Sequence, residues 1–279
     1  MPDTSFASVP GASPLAEQAD RHHLYELSVQ CAEAEVDFID QNFRLLRGRS
    51  ARLLREDFCG TASVCCEWVQ RRKTNRAIGV DIDREVLDWG RTNNLSEIPD
   101  DLAKRATLLE ADVLEVETPS PDIIVAMNFS YWLLKHRPAL KRYFKRVRKA
   151  LKDDGMFFLD AYGGYDSYRI ITEERTIEGD DGDFTYIWEQ ERYDPVSGRL
   201  VCHISFAFPD GSRMDRAFSY DWRLWSLPEI RELLDEAGFK RVLCYWQGWD
   251  QDGNPDGVFT PVEEGEPDAG WIAYLTAEK

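Results

Sequence analysis

Residues 51–62 read A-R-L-L-R-E-D-F-C-G-T-A: an apolar start, an acidic pair in Glu56 and Asp57, and a tight turn at Cys59-Gly60-Thr61. The residues that follow, Ser63-Val64-Cys65-Cys66-Glu67-Trp68-Val69, have helical spacing. A short strand that passes through a glycine turn into a helix is how a doubly wound α/β sheet opens a nucleotide site. The stretch from Arg76 to Asp83 repeats the logic. It is a second strand ending in acid, about 20 residues past the turn, where a ribose hydroxyl would meet a carboxylate.

Upstream of this stretch, Ala19 to Leu46 has mostly helical apolar spacing and predicts two helices broken near Cys31. Downstream, Asp83 is placed to cap a helix, and strands are predicted over Ala106–Asp112, Asp122–Phe129 and Met156–Tyr162. A helix from Pro138 separates the last two strands, with an apolar face through Leu140, Tyr143, Phe144 and Val147 and a basic face opposite. Such alternation specifies a parallel sheet covered by helices. It stops at Phe184–Asp194, Arg199–Phe208 and Ser212–Trp225, three period-two runs joined by D-P-V-S-G and P-D-G, which predict an antiparallel meander. The α/β pattern resumes at Ser226-Leu227-Pro228-Glu229, a capping-box spacing, and continues to a strand over about Lys240–Trp246, an acidic loop and a last strand over Trp271–Thr276.

The expected architecture is a Rossmann-like, seven-stranded, mostly parallel α/β sheet with a reversed last strand, and an antiparallel β cap inserted after the fifth strand. In domain terms, residues 1–18 form a flexible tail and 19–164 the N-terminal helices with the cofactor-binding core. Residues 165–225 form a substrate-side cap, and 226–279 complete the core.

The 279 residues carry a formal net charge of −17. Such a chain is repelled by phosphate backbones and anionic membranes, which favours a small-molecule partner over nucleic acid. The basic helix face reads as solvated surface. The six cysteines form no C-x-x-C pair and no zinc-ligand spacing with the four histidines. That suits a reducing compartment, and the expected localisation is cytoplasmic. No apolar run is long enough to span a membrane. The first residues lack the basic start and apolar centre of a signal peptide. Asp250-x-Asp252-x-Asn254-x-Asp256 superficially matches a calcium loop, but Pro255 and Pro261 stand where the turn glycine and the closing glutamate belong, so no metal is expected.

Four motifs give the chain a family resemblance. Leu54 to Ala62 matches an acidic-x-G-x-G-x-G motif aligned on C-G-T, Gly79-Val80-Asp81-Ile82-Asp83 a second, Glu110-Ala111-Asp112-Val113 a third, and Leu151 to Met156 a fourth. Over roughly residues 50–165 and 226–279 the chain resembles the class I S-adenosylmethionine-dependent methyltransferase family, of the small-molecule type with an inserted cap. The resemblance implies S-adenosylmethionine as cofactor. Asp81 would meet the ribose, Glu56 the amino-acid end and Asp112 the adenine, with Phe58, Gly60, Ile82, Val113 and Asn128 also on the cofactor side. The sequence departs from the pattern at Phe58 and Ala62, where the family has glycine, and Phe58 would set a ring where backbone usually approaches the methionine part.

On the acceptor side, Asn128-Phe129-Ser130-Tyr131 resembles the N-x-x-Y frame of amino-methyltransferases, without its diproline. Asn128 and Tyr131 would then place the acceptor, and His203 is a candidate base because imidazole titrates near neutral pH. Tyr25, Trp132 and Trp246 are candidate acceptor contacts, since aromatic faces suit a cation. The plainer readings stand beside these: a packed turn at Asn128–Tyr131, core tryptophans, a hydrogen-bonded surface histidine. The implied function is methyl transfer by in-line displacement to a nitrogen or sulfur of a small-molecule acceptor, with a homodimer compatible. The alternatives are a nucleic-acid or protein methyltransferase, a dinucleotide-dependent oxidoreductase, and a non-catalytic cofactor-binding protein.

Overall fold

A computed structural model describes residues 13–179, 182–251 and 255–279. In chain order the elements are α1 (Leu15–Gln18), α2 (Arg21–Val29), α3 (Ala32–Arg47), β1 (Leu53–Asp57), α4 (Ser63–Arg71), β2 (Arg76–Asp81), α5 (Arg84–Gly90), α6 (Asp100–Ala103), β3 (Ala106–Glu110) and β4 (Ile123–Ala126). They continue with α7 (Arg137–Ala150), β5 (Met156–Gly163), β6 (Ile171–Ile177), β7 (Phe184–Asp194), β8 (Arg199–Ala207), β9 (Arg213–Arg223), α8 (Leu227–Ala237), β10 (Arg241–Trp249), β11 (Pro255–Val262) and β12 (Trp271–Glu278). The chain divides into two compact units, one of the described residues up to Gln30 with Tyr168–Arg223, the other of Cys31–Ser167 with Leu224–Lys279.

The larger unit is built on an eight-stranded sheet in the order β11-β10-β12-β5-β4-β1-β2-β3. Strands β5, β4, β1, β2 and β3 are mutually parallel, and β12 runs antiparallel to β5 in the reversed position the sequence predicts. All of β4 is buried, as a strand covered on both faces must be. Val36, Ile39 and Phe43 of α3 and Val64, Cys65, Trp68 and Val69 of α4 join Leu54 and Ala77 in one apolar core. Helix α8 starts with the predicted capping box, Ser226 with Glu229, and ends at Gly238 with φ 97°, a left-handed conformation suited to glycine.

The eighth strand, β11, goes beyond the seven expected. Its sequence P-D-G-V-F-T-P-V reads as a loop because proline cannot donate to a ladder, yet the strand lies at the sheet edge, where proline is tolerated. Within the calcium-like stretch, Asp252 to Asn254 fall outside the described residues.

The smaller unit carries a four-stranded antiparallel sheet in the order β6-β7-β8-β9. Strand β6 escapes sequence reading because its middle, T-E-E-R-T, is wholly exposed and offers no alternation. Leu24 of α2 packs with Phe184, Ile204 and Phe206 of this sheet, and Tyr25 and Val29 lie against the same cluster. That contact draws α2 into the smaller unit, whereas the sequence reading assigned residues 19–30 to the core. Most of the tail expected at 1–18 lies outside the described residues. Of the remainder, Leu15 donates its N–H to Asp210 Oδ2 at 2.9 Å and Ala16 to Ser212 Oγ at 3.0 Å.

Candidate active site

In the larger unit β1 is flanked by β4 and β2, whose connections leave in opposite directions. The crevice beyond the carboxyl ends of strands at such a reversal is where open α/β sheets bind ligands. The loop after β1 enters it with Phe58 at φ 59°, Gly60 at φ 51° and Ala62 at φ 62°. All three positions where the family motif has glycine therefore hold glycine's left-handed backbone, at a cost of about 1–2 kcal/mol for each of the two side-chain-bearing residues. The Phe58 ring lies edge-on to Tyr143 of α7, with ring centres 5.6 Å apart, and so has an apolar partner within the unit.

Close backbone packing fixes the loop. Cys59 donates its N–H to Val80 O at 3.0 Å. A side chain at Gly79 would crowd Cys59 Sγ, and one at Gly90 would overlap the Thr61 carbonyl oxygen. The Gly60 N–H donates to Asp81 Oδ2 at 2.8 Å and the Asp83 N–H to Asp81 Oδ1 at 3.0 Å. These bonds orient a half-buried carboxylate at the end of β2 and leave it further lone pairs. Asp83 caps α5 by accepting from Glu85 N, as predicted. A Cβ built on Gly60 would meet nothing within 4 Å. Ile82 is 73% exposed beside Asp81.

Successive residues of β1 face opposite ways. Arg55 and Asp57 form a fully buried ion pair, with Nε 2.8 Å from Oδ1 and Nη2 3.0 Å from Oδ2, and Tyr143 donates its hydroxyl to Asp57 Oδ2 at 2.9 Å. Glu56, between them, accepts the Cys65 N–H at 3.2 Å on Oε2. Burial, chiefly, pushes its carboxyl up to about 8.

The turn after β4 is also left-handed, with Asn128 at φ 56° and Phe129 at φ 57°. Asp160 of β5 clamps it, accepting the Asn128 N–H on Oδ2 at 2.7 Å and the Phe129 N–H on Oδ1 at 2.9 Å. Tyr131 is fully buried and donates its hydroxyl to the Asp160 carbonyl oxygen at 2.7 Å. Trp132 is likewise buried and stacks on Tyr162, ring centres 4.9 Å apart. Both aromatic residues brace the turn from inside, and Asn128 remains half-buried at its tip. Glu35 of α3 hydrogen-bonds the Asn128 side chain, and burial together with Asp160 and Glu56 raises its carboxyl to about 8.

The other expected residues lie elsewhere. Asp112 is exposed and accepts the Leu114 N–H at 2.8 Å, the geometry of a turn acid, with Val113 buried behind it. Tyr25 and His203 belong to the smaller unit. The Tyr25 ring packs on Phe218 with centres 5.0 Å apart. His203 Nε2 donates to Glu191 Oε2 at 2.6 Å, Nδ1 lies 2.8 Å from the Ser219 hydroxyl, and Arg216 pairs with the same Glu191 oxygen at 2.8 Å. Trp246 packs on Trp271 and lines a groove of about 570 Å³ along α8 and β10, to which no residue of the Gly60 loop contributes.

Glu35 and Asp160 were missed as site residues. Each is an acid inside an apolar pattern: Glu35 falls in helical register with Ile39 and Phe43, and Asp160 interrupts the buried strand F-F-L-D-A. A charge at a core position needs a partner or a proton, and that break in pattern is the signal that could have found them.

Residues 57–159 match the methyltransferase-domain family. The chain carries a methyltransferase domain. The matched span runs from the end of β1 to within β5, so it contains the Gly60 loop, Asp81 and the Asn128 turn. The cofactor of this methyltransferase is S-adenosylmethionine. No curated relative matches it in sequence. Among solved structures, it resembles an S-adenosylmethionine-dependent methyltransferase from Clostridium acetobutylicum at 20% identity and a TM-score of 0.65, covering 92% of this chain and 96% of that one. It also resembles CalS10, an amino pentose methyltransferase from Micromonospora echinaspora, at 12% identity and a TM-score of 0.66 with the same coverage. A third is the sugar N-methyltransferase KedS8 from Streptoalloteichus, at 15% identity and a TM-score of 0.63, covering 100% of this chain and 98% of that one.

The residues present fit such a cofactor. Open space in front of Gly60 admits a close-lying ligand, Asp81 offers oriented acceptor oxygens, and Ile82 offers an exposed apolar surface next to them. Among the described residues no group of three or more acids, histidines and cysteines is arranged to hold a metal, and no helix is long and apolar enough to cross a membrane.

Proposed function

We propose that the methyltransferase acts on a small-molecule acceptor and that the atom methylated is a nitrogen. The observation that carries this reading is the pair of left-handed turns, Phe58–Ala62 and Asn128–Phe129, at the ends of adjacent strands in the switch-point crevice. Support for nitrogen comes from the N-x-x-Y stretch at Asn128–Tyr131 and from the amino pentose and sugar N-methyltransferases among the structural neighbours.

When bound, S-adenosylmethionine supplies a methyl group already activated on a sulfonium, so the chain's own task is positioning and exclusion of water. In this reading Asp81 accepts from ribose hydroxyls, its carboxylate pre-set by the Gly60 and Asp83 N–H groups. Ile82 offers an exposed apolar face on the base side, and Asp112 shapes the turn beside it, with Val113 packed behind. Glu56 and Gly60 hold the amino-acid side, with the Phe58 ring kept against Tyr143. Asn128 presents its amide to the acceptor, while Tyr131 and Trp132 act as positioning residues beneath the turn. Tyr25, His203 and Trp246 are given no role in this reading, and His203 Nε2 is engaged with Glu191.

The test is calorimetric titration with S-adenosylhomocysteine, followed by a mass-spectrometric screen for methyl gain on amino sugars, other primary and secondary amines, thiols and hydroxyl compounds. Binding together with methylation of amines supports the reading. Methylation confined to thiols or hydroxyls refutes the nitrogen assignment.

A further inference from the structure

Glu35 is 5% exposed on the apolar face of α3, and one of its carboxyl oxygens, Oε2, has no hydrogen-bond partner. The groups facing it come from four elements. Asp160 lies on β5 and Glu56 on β1, the Asn128 amide at the end of β4 bonds the carboxyl, and Tyr274 of β12 feels both Glu35 and Asp160. Behind Glu56 stand two more acids, Asp57 and Asp81. Arg55 is committed to Asp57. Burial raises the carboxyls of Glu35 and Glu56 to about 8 and that of Asp160 to about 7, which favours their protonated forms over bare buried carboxylates. A buried carboxylic O–H without an acceptor, or a buried carboxylate oxygen without a donor, is costly in either protonation state. A ligand that brings both an N–H donor and a positive charge relieves both costs, whereas a hydroxyl brings only the donor.

We propose that Glu35 Oε2 binds an ammonium nitrogen, that of the amino-acid end of the cofactor, and that this ammonium enters in exchange for a proton. The exchange balances simply. The Glu35 carboxyl loses its proton to the buffer, the ligand's ammonium keeps all of its own, and a charge-assisted N–H···O bond forms. An acceptor amine is the weaker candidate on chemical grounds, because a nitrogen must be uncharged to attack the methyl carbon and a nest of carboxylates holds it protonated. The inference rests on the cofactor-binding reading above and adds a residue from α3 that lies outside the matched domain span.

The test compares S-adenosylhomocysteine with 5′-methylthioadenosine, which lacks the amino-acid end. Both are titrated calorimetrically into the wild-type chain and Glu35→Gln near pH 7, in two buffers of different ionisation enthalpy. The expected result is an S-adenosylhomocysteine affinity about 10- to 100-fold weaker in the variant, the worth of one charge-assisted bond, with 5′-methylthioadenosine unchanged. Wild type should also release protons on binding S-adenosylhomocysteine, and Glu35→Gln fewer. A wild type that releases no proton on binding S-adenosylhomocysteine overturns the proposal even if Glu35→Gln folds poorly, and the loss of release in the variant separates Glu35 from Glu56. Equal weakening of both ligands would mark Glu35 as merely structural, and unchanged affinity would mean that solvent satisfies Oε2. Unchanged cofactor affinity with a raised KM for an amine acceptor would move the ammonium to the acceptor; each of these overturns the proposal. Failure of wild type to bind S-adenosylhomocysteine at all would overturn the cofactor-site reading first and this inference with it.

Discussion

Gly60→Ala separates the stability of the cofactor loop from its function. Gly60 has φ 51°, and an added Cβ would meet nothing within 4 Å, so the substitution brings backbone strain without a clash. A left-handed alanine costs about 1–2 kcal/mol, and the lower entropy of the unfolded chain returns about 0.4–1 kcal/mol, leaving a net loss near ~1 kcal/mol. Ala62, in the same loop at φ 62°, shows that the fold accommodates such a residue. The melting temperature should fall by about 2–4 °C. Binding should suffer more, because the methyl occupies the space a ligand needs, and overpacking of about 1–3 kcal/mol corresponds to roughly 5- to 150-fold in affinity. The assays are a thermal melt by circular dichroism and a calorimetric titration with S-adenosylhomocysteine. Unchanged affinity at the lowered melting temperature would show that the space before Gly60 is not where the cofactor lies. A fall of well over ten degrees would show that the space is not open.

Asp81→Ala removes the acceptor of the Gly60 N–H and should weaken S-adenosylhomocysteine and adenosine alike; calorimetry that finds both unchanged would refute the ribose assignment. Arg55→Met leaves Asp57 as an uncompensated buried charge and should cost about 3–5 kcal/mol in urea denaturation, much of it recovered in the double variant Arg55→Met/Asp57→Leu. The Glu35 carboxyl is raised in the folded chain from 4.5 to about 8, so the folded state holds the extra proton and stability falls as pH rises across that window. Glu35→Gln lacks this dependence, and its melting temperature relative to wild type should climb from pH 5 towards pH 8; a difference independent of pH would show that Glu35 is not protonated by burial.

The alternating core was legible in the sequence because each strand from β1 to β5 is short, apolar and bounded by turn chemistry. The edge strands β6 and β11 were not, since an edge is under little pressure to be apolar or free of proline. The places of Gly60 in a turn and of Asp81 and Asn128 at strand ends were legible from spacing. The conformation of Phe58 and Ala62 was not, because propensity argues against a left-handed phenylalanine and only the surrounding packing overrides it. Tyr131 and Trp132 could be read as pocket aromatics or as core, and a sequence cannot say which way a side chain at the end of a strand turns. The Asp160 clamp depends on two strands lying side by side, which is information about topology more than about any local pattern.

The edge strand β11 bears on how copies of this chain can meet. Sheets often pair through their outermost strands, each lending the other a row of backbone donors and acceptors. Here that row is interrupted: Pro255 and Pro261 have no N–H to offer, and Gly257 sits at φ 73°, outside strand geometry. Two prolines and a left-handed glycine along one short strand disfavour a continuous backbone ladder with a second sheet at this border, and they disfavour fibrillar stacking there as well.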